Sequence, residues 1–359
     1  MRKIIIFAVV SAVLLAGCSK KPDTVEQPPV TEQGESEVKV QEQAEDTDVR
    51  EEAAVPQRER SMINEAAWCV YWDPDSAAAA VDNYTRYKEL VLFGCVYSED
   101  HTLSVPEQLG GIMADLPGKT SADCPELYLS FINDVIHPDG SSTQKSTDFL
   151  QEVLTDGDLS DAVINDMIEQ TQSFGFDGIE LDYENIHKCD DLWDEYIDFV
   201  TRLYQRADSV NLKLRVILTV STPVEELDLV RGPRYVVMCY NLYGNHSGPG
   251  PKADGDFLKD TYDKFSSIDA DYALANGGFE WGPDDKAIRS LTAKAAKALA
   301  DETGAEMTRD NNGAVSYTYR SEDGLHTVCY SDEETIERWS EILLENADKD
   351  IRINLWRLE

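Results

Sequence analysis

The chain has 359 residues, and its 69 acidic and 32 basic residues give a formal net charge of −37. That excess of carboxylates argues against nucleic acid and other polyanions as partners, because holding phosphates requires clustered Lys and Arg. A neutral ligand is compatible with such a surface, and 42% hydrophobic residues suffice for a packed core.

Arg2 and Lys3 precede a short apolar run, Ile4 to Leu15, which is too short for a comfortable membrane span. The run ends in Leu15-Ala16-Gly17-Cys18. This resembles the bacterial lipoprotein signal, which implies removal of residues 1–17 and lipidation of Cys18. One lipidated cysteine anchors a chain to a membrane without a transmembrane helix. Ser19, rather than Asp, after Cys18 points to the outer membrane or cell surface of a bacterium. Residues 18–60 are rich in Glu, Gln, Pro, Thr and Val, with twice as many acids as bases. Such a segment cannot bury enough apolar surface to offset its ordering entropy, so it reads as a disordered acidic tether.

Residues 61–359 alternate strand-like and helix-like patterns. Strands are expected at 66–72, 90–97, 126–132, 177–184, 213–220, 235–242, 272–275 and 351–356. Helical spacing covers 160–173, with Val163, Ile164, Met167 and Ile168 on one stripe. It recurs over 192–207, 255–265 and 284–303. Near-continuous apolar strands imply a sheet buried on both faces, hence parallel. Eight such units over about 300 residues fit a (β/α)8 TIM barrel. No Gly-x-Gly-x-x-Gly follows an early strand, which disfavours the open nucleotide-binding alternative. Two aromatic-rich runs, 315–319 and 326–330, joined by Glu322-Asp323-Gly324, predict a small hairpin inserted before the last strand. Cys69, Cys95, Cys124, Cys189, Cys239 and Cys329 are widely spaced with no C-x-x-C pair, so no metal site is expected and buried thiols are.

The segment Asp177-Gly178-Ile179-Glu180-Leu181-Asp182-Tyr183-Glu184 carries the chemistry. On a strand, Glu180, Asp182 and Glu184 share one face, with neighbours roughly 6–7 Å apart. Three acids crowded in a partly dry site raise at least one pKa, as a general acid requires.

Set beside Met238-Cys239-Tyr240-Asn241, Tyr71-Trp72 and the terminal Trp356, this octet resembles the strand-four signature Asp-x-x-Asp-x-Asp-x-Glu of glycoside hydrolase family 18, the chitinase-like family. The likeness extends over roughly residues 62–359. It implies a substrate-assisted retaining glycosidase acting on N-acetylglucosamine-containing oligosaccharides or polysaccharides. Glu184 would be the general acid, Asp182 the partner of the 2-acetamido group, and Tyr240 a hydrogen-bond donor to the developing oxazolinium. Trp356 would floor the sugar site. Glu180, Asn241, Tyr71 and Trp281 would line it, and Asp177 would bond backbone near the strand start. No cofactor is implied. Chitin oligomers, peptidoglycan and the chitobiose core of N-glycans all contain the required unit.

Three positions depart from the family pattern. Glu180 stands where an Asp is usual, Asn241 replaces an Asp after Tyr240, and strand three ends in Ser130-Phe131-Ile132-Asn133, a bulkier wall than Ser-x-Gly-Gly. The first two motivate an alternative, a non-catalytic carbohydrate-binding lipoprotein on the same barrel. His187 and His246 read as surface loop residues.

Overall fold

The computed structural model describes residues 63–118, 124–189 and 192–359. The expected signal segment, Cys18 and the tether lie outside the described residues. The described residues belong to the compact unit that begins at Pro56. Among them no helix is long and apolar enough to cross a membrane.

Eight parallel strands close on themselves: β1 (Ile63–Val70), β2 (Glu89–Ser98), β3 (Glu126–Ile136), β4 (Gly178–Asp182), β5 (Lys213–Leu218), β6 (Arg234–Met238), β7 (Ala270–Ala275) and β8 (Ile353–Trp356). Each pairs with the next, and β8 pairs with β1 to complete the circle. This is the expected (β/α)8 barrel.

Helices α1 (Pro74–Asp82), α2 (Glu107–Asp115), α3 (Thr147–Thr155), α4 (Gly157–Ser173), α5 (Trp193–Ser209), α6 (Gly255–Phe265), α7 (Ala293–Thr303) and α8 (Glu333–Asn346) surround or flank it. The 219–233 segment joins β5 to β6 without a helix. The predicted stripe of α4 buries Val163, Ile164 and Met167. That helix starts at Gly157 because the Asp156 side chain accepts from the backbone of Asp158 and Leu159, satisfying donors left open in a first turn.

Strand alternation sorts the side chains. Outward residues such as Leu90, Leu92, Ile179, Leu181, Leu214 and Val216 meet the helices in one large core. Each such fully buried aliphatic contributes ~1.5–3 kcal/mol. Inward residues Trp68, Val91, Phe93, Tyr128, Ile217, Val236 and Met238 fill the barrel, with Tyr240 and Trp356 packed against them.

The insertion before β8 is larger than a hairpin. The turn at 322–323 joins Val315–Ser321 to Gly324–Ser331 as expected, but this pair belongs to a five-stranded antiparallel sheet. Gly277–Trp281, directly after β7, and Ala287–Leu291 extend it. The helix expected over 284–303 is therefore shorter. Residues 287–291 pair as a strand, and α7 begins after Thr292, whose hydroxyl accepts from Ala295 N.

Candidate active site

The acids of β4 are set by a register lock at the strand's start. Asp177 Oδ2 accepts from Leu127 N at 2.8 Å, and Asp177 N donates to Leu127 O. Asp177 thus ties the start of β4 to β3. The lock places Glu180 opposite Ser130 and Arg215, and Asp182 opposite Ile132. β4 ends at Asp182, but Tyr183 stays in the outer core with Ile179 and Leu181, so the alternation carries on and Glu184, in the loop beyond the strand, faces the same site as Asp182. Asn185, in the left-handed region at φ 67, turns the chain there.

Below the acids the barrel has a charged floor. Glu180 is fully buried; its Oε1 accepts from Trp68 Nε1 at 2.7 Å and its Oε2 from Arg215 Nε at 3.0 Å. Arg215 also pairs with Glu89, which pairs with Arg234. Arg234 also approaches Asp271 at 3.9 Å, and Asp271 pairs in turn with Arg352 at 2.5 Å. The Arg215 guanidinium lies 5.4 Å from the ring centres of both Trp68 and Tyr128. Glu180 is therefore no substrate contact, because both of its oxygens are bound within the protein and no part of it is exposed. The extra methylene that separates Glu from Asp carries its carboxylate to the Trp68 and Arg215 donors. Burial pushes its carboxyl up, while Arg215 and the Trp68 bond oppose that push.

Asp182 sits one layer higher, nearly buried, and its Oδ1 has no hydrogen-bond partner. Burial, then Glu184 and Glu180, push its carboxyl well above the usual aspartate range, against a counter-pull from Lys145. Glu184 is 14% exposed, at the mouth. Its backbone is held by one side chain: Glu184 N donates to Asn133 Oδ1 at 2.9 Å, and Asn133 Nδ2 donates to Glu184 O at 3.1 Å. The expected bulky wall at the end of β3 is thus a clamp on the acid's main chain. Glu184 Oε1 also meets Lys145 Nζ at 2.6 Å.

Tyr240 follows β6 and is half-buried against the barrel interior. Burial raises its hydroxyl pKa well above normal, and Asp182, Glu184 and Glu180 add to the rise, which places it among these acids. Trp356 packs edge-on to Phe93 at 4.8 Å and to Trp68 at 5.9 Å between ring centres. Tyr71 lies at the same mouth. It fits because Gly94, at φ 121, has no side chain; a Cβ there would fall 2.7 Å from the Tyr71 ring. Burial and Asp134 raise the Tyr71 hydroxyl pKa. Trp72, 51% exposed, packs edge-on to Tyr71 and Phe93 and extends this aromatic wall outward. Asn241 is exposed beside Tyr240.

Trp281 does not belong to the wall. It is fully buried in the antiparallel sheet, and its Nε1 donates to Ser247 O at 3.0 Å. A Trp at a strand end reads equally as platform or plug, and here it is the plug. The sequence reading missed Lys145 and Asp134. Asp134, next to Asn133 on β3, accepts from Lys145 N at 2.7 Å. Neither residue stands in a patterned segment that would single it out.

A buried carboxyl below a partly exposed one, ringed by tyrosine and tryptophan at the C-terminal mouth of a barrel, can hold a sugar and move a proton. The same backbone occurs in solved structures. A chitinase from Chromobacterium violaceum is 17% identical, with a TM-score of 0.66 over 82% of this chain and 94% of that one. The fold is a chitinase fold. The spore cortex-lytic enzyme SleL of Bacillus cereus is 18% identical, with a TM-score of 0.65 over 82% of this chain and 71% of that one. A class V chitinase from Nicotiana tobaccum, a mutant of which was solved in complex with NAG4, is 11% identical, with a TM-score of 0.63 over 82% of this chain and 93% of that one. No protein-family model and no curated protein sequence matches the chain.

Proposed function

We propose that this protein is a glycoside hydrolase that cleaves β-linked N-acetylglucosamine glycans with retention of configuration. The observation that carries the reading is Asp182, a nearly buried carboxyl with a free oxygen and a raised pKa, directly below Glu184. A carboxyl kept dry and unsatisfied awaits a partner, and an acetamido N–H is a suitable donor for it.

In the first step the substrate's acetamido oxygen attacks the anomeric carbon. The bond to the leaving oxygen breaks, and Glu184 gives that oxygen its proton. Asp182, having passed its proton to Glu184 as the sugar enters, accepts from the acetamido N–H and as a carboxylate offsets the positive charge that develops on the ring. Tyr240 donates its hydroxyl hydrogen to the acetamido oxygen as it swings in. Water then attacks the anomeric carbon and returns a proton to the Glu184 carboxylate, and the acetamido group re-forms. Two displacements leave the product in its original configuration. Trp356 and Tyr71 supply apolar faces for the sugar ring. The floor beneath keeps Asp182 and its neighbours in place.

The test is the anomer released from N-acetyl chitooligosaccharides, followed by NMR within minutes of mixing. The β anomer first supports the reading. An α product, or cleavage of glycans that lack the acetamido group at equal rates, contradicts it. The Lys145–Glu184 ion pair favours a second reading, a carbohydrate binder that does not turn over; tight oligosaccharide binding without product release selects it. Chitin oligomers, peptidoglycan and N-glycan cores remain the substrate panel. We also place the protein on the bacterial envelope through a lipid on Cys18, most simply at the outer membrane or cell surface. Incorporation of labelled palmitate that is lost in Cys18→Ser supports that placement.

A further inference from the structure

Lys145 is the cation closest to the acids, and its place is built from several directions. Its Nζ meets Glu184 Oε1 at 2.6 Å. Its backbone N donates to Asp134 Oδ1 at 2.7 Å, and its carbonyl accepts from Asn185 Nδ2 at 3.0 Å. The next residue is tied in as well: Ser146 O accepts from the same Asn133 amide that clamps the Glu184 backbone. Lys145 itself sits at φ 51, a left-handed conformation that residues other than glycine adopt sparingly. Strain of this kind persists only where the surroundings impose it, and it concentrates at functional sites.

The groups that face Glu184 come from every side. Lys145 arrives on the loop after β3, Asp134 from β3, Asp182 from β4, Tyr240 after β6, and His187 from the loop beyond Glu184. Burial pulls the Lys145 amine down, but Glu184, then Asp182 and Asp134, more than reverse this and leave it raised. It is therefore an ammonium at neutral pH. A general acid must carry a proton and present it to the leaving oxygen. An ammonium bound to the same carboxyl opposes both.

We propose that Lys145 is a positioning residue that holds the Glu184 carboxyl turned toward the β3 loop in the empty site and releases it when a sugar enters. The incoming glycosidic oxygen takes the place of Lys145 Nζ at Glu184. The ammonium stays beside Asp134. As the ammonium leaves, Asp182 passes its proton to Glu184, so the acid is armed by substrate rather than standing armed in solvent. This rests on the proposal that Glu184 is the acid.

The test compares wild type, Lys145→Met and Lys145→Arg. Met carries the same backbone cost as Lys at φ 51, so the comparison isolates the charge. The pH dependence of kcat/KM on an aryl chitobioside is measured for each. In parallel, the Glu184 carboxyl is titrated by carbon NMR with labelled glutamate and identified by its absence in Glu184→Gln. With the ammonium gone, Lys145→Met should carry the alkaline fall of activity upward in pH. Its kcat/KM above the wild-type limb should then exceed that of the wild type. KM should fall, because no ion pair has to be displaced. The Glu184 titration should move the same way, and Lys145→Arg should keep the wild-type limb. Superimposable profiles and titrations overturn the proposal, as does an equal loss of activity at every pH, which marks a structural role only. If the wild type shows no turnover, the glycosidase reading fails, while the NMR titration still decides for or against Lys145.

Discussion

Glu180→Gln separates a residue of the floor from a residue that touches sugar. The substitution keeps the shape of the side chain and removes its charge. The amide oxygen can keep the Trp68 Nε1 bond, now 2.7 Å. Its NH2 then faces the Arg215 Nε–H, two donors where a donor and a carboxylate stood 3.0 Å apart. Both side chains are 0% exposed, so water cannot make up the loss. A hydrogen bond to a charged group is worth ~1.5–3 kcal/mol, and a buried donor left facing another donor adds to that. Arg215 keeps Glu89 as a counter-ion, which holds the cost below the ~3–5 kcal/mol of a fully orphaned buried charge. A loss of about 2–3 kcal/mol corresponds to roughly 3–5 °C in Tm for a domain of this size. Thermal and urea denaturation measure it, with KM on an aryl chitobioside as the companion. The floor reading expects the Tm to fall while KM stays within about twofold. A Tm within about 1 °C of wild type, together with a large rise in KM, would refute it and return Glu180 to the sugar site.

Three further outcomes follow from the same geometry. Asp182 has a raised carboxyl pKa, so its folded form holds a proton longer than its unfolded form. Its contribution to stability is greatest at acid pH and is lost as pH rises through the folded pKa. Asp182→Asn should therefore melt higher than wild type near pH 8, with the gap closing toward pH 4; a constant gap, or one that widens in acid, contradicts this. Asn133→Ala removes both bonds to the Glu184 backbone. It should lower kcat ~10–100-fold with KM little changed, since a misplaced acid loses rate before binding; steady-state kinetics that show only a KM change would count against the clamp. Trp281→Phe removes the bond to Ser247 O from a buried site. It should cost ~1–3 kcal/mol in urea denaturation and leave KM for oligosaccharides unaltered.

The barrel is legible in the sequence because its strands are apolar on both faces, a pattern that a parallel sheet covered by helices requires. The acids of β4 are legible because period two puts Glu180 and Asp182 on the inner face. The same period carries on to Glu184, although nothing in the residues says that the hydrogen-bonded strand stops at Asp182. The floor is hidden for a different reason. Glu89, Arg215, Arg234 and Asp271 come from four strands, each contributing one charge at or near the start of an apolar run, and only closure of the barrel brings them together. Lys145 is hidden more deeply, because its contact depends on the path of an irregular loop after β3. The strand at 287–291 is disguised by the helix-compatible residues beside it; its antiparallel partner at 277–281 decides its conformation.

Glu184 as the proton donor is the point on which the proposed chemistry turns. Glu184→Gln keeps the side chain's shape and removes its acidity, so turnover of an aryl chitobioside should fall by several orders of magnitude while oligosaccharide binding, measured by calorimetry, persists. Turnover equal to that of the wild type would contradict the assignment.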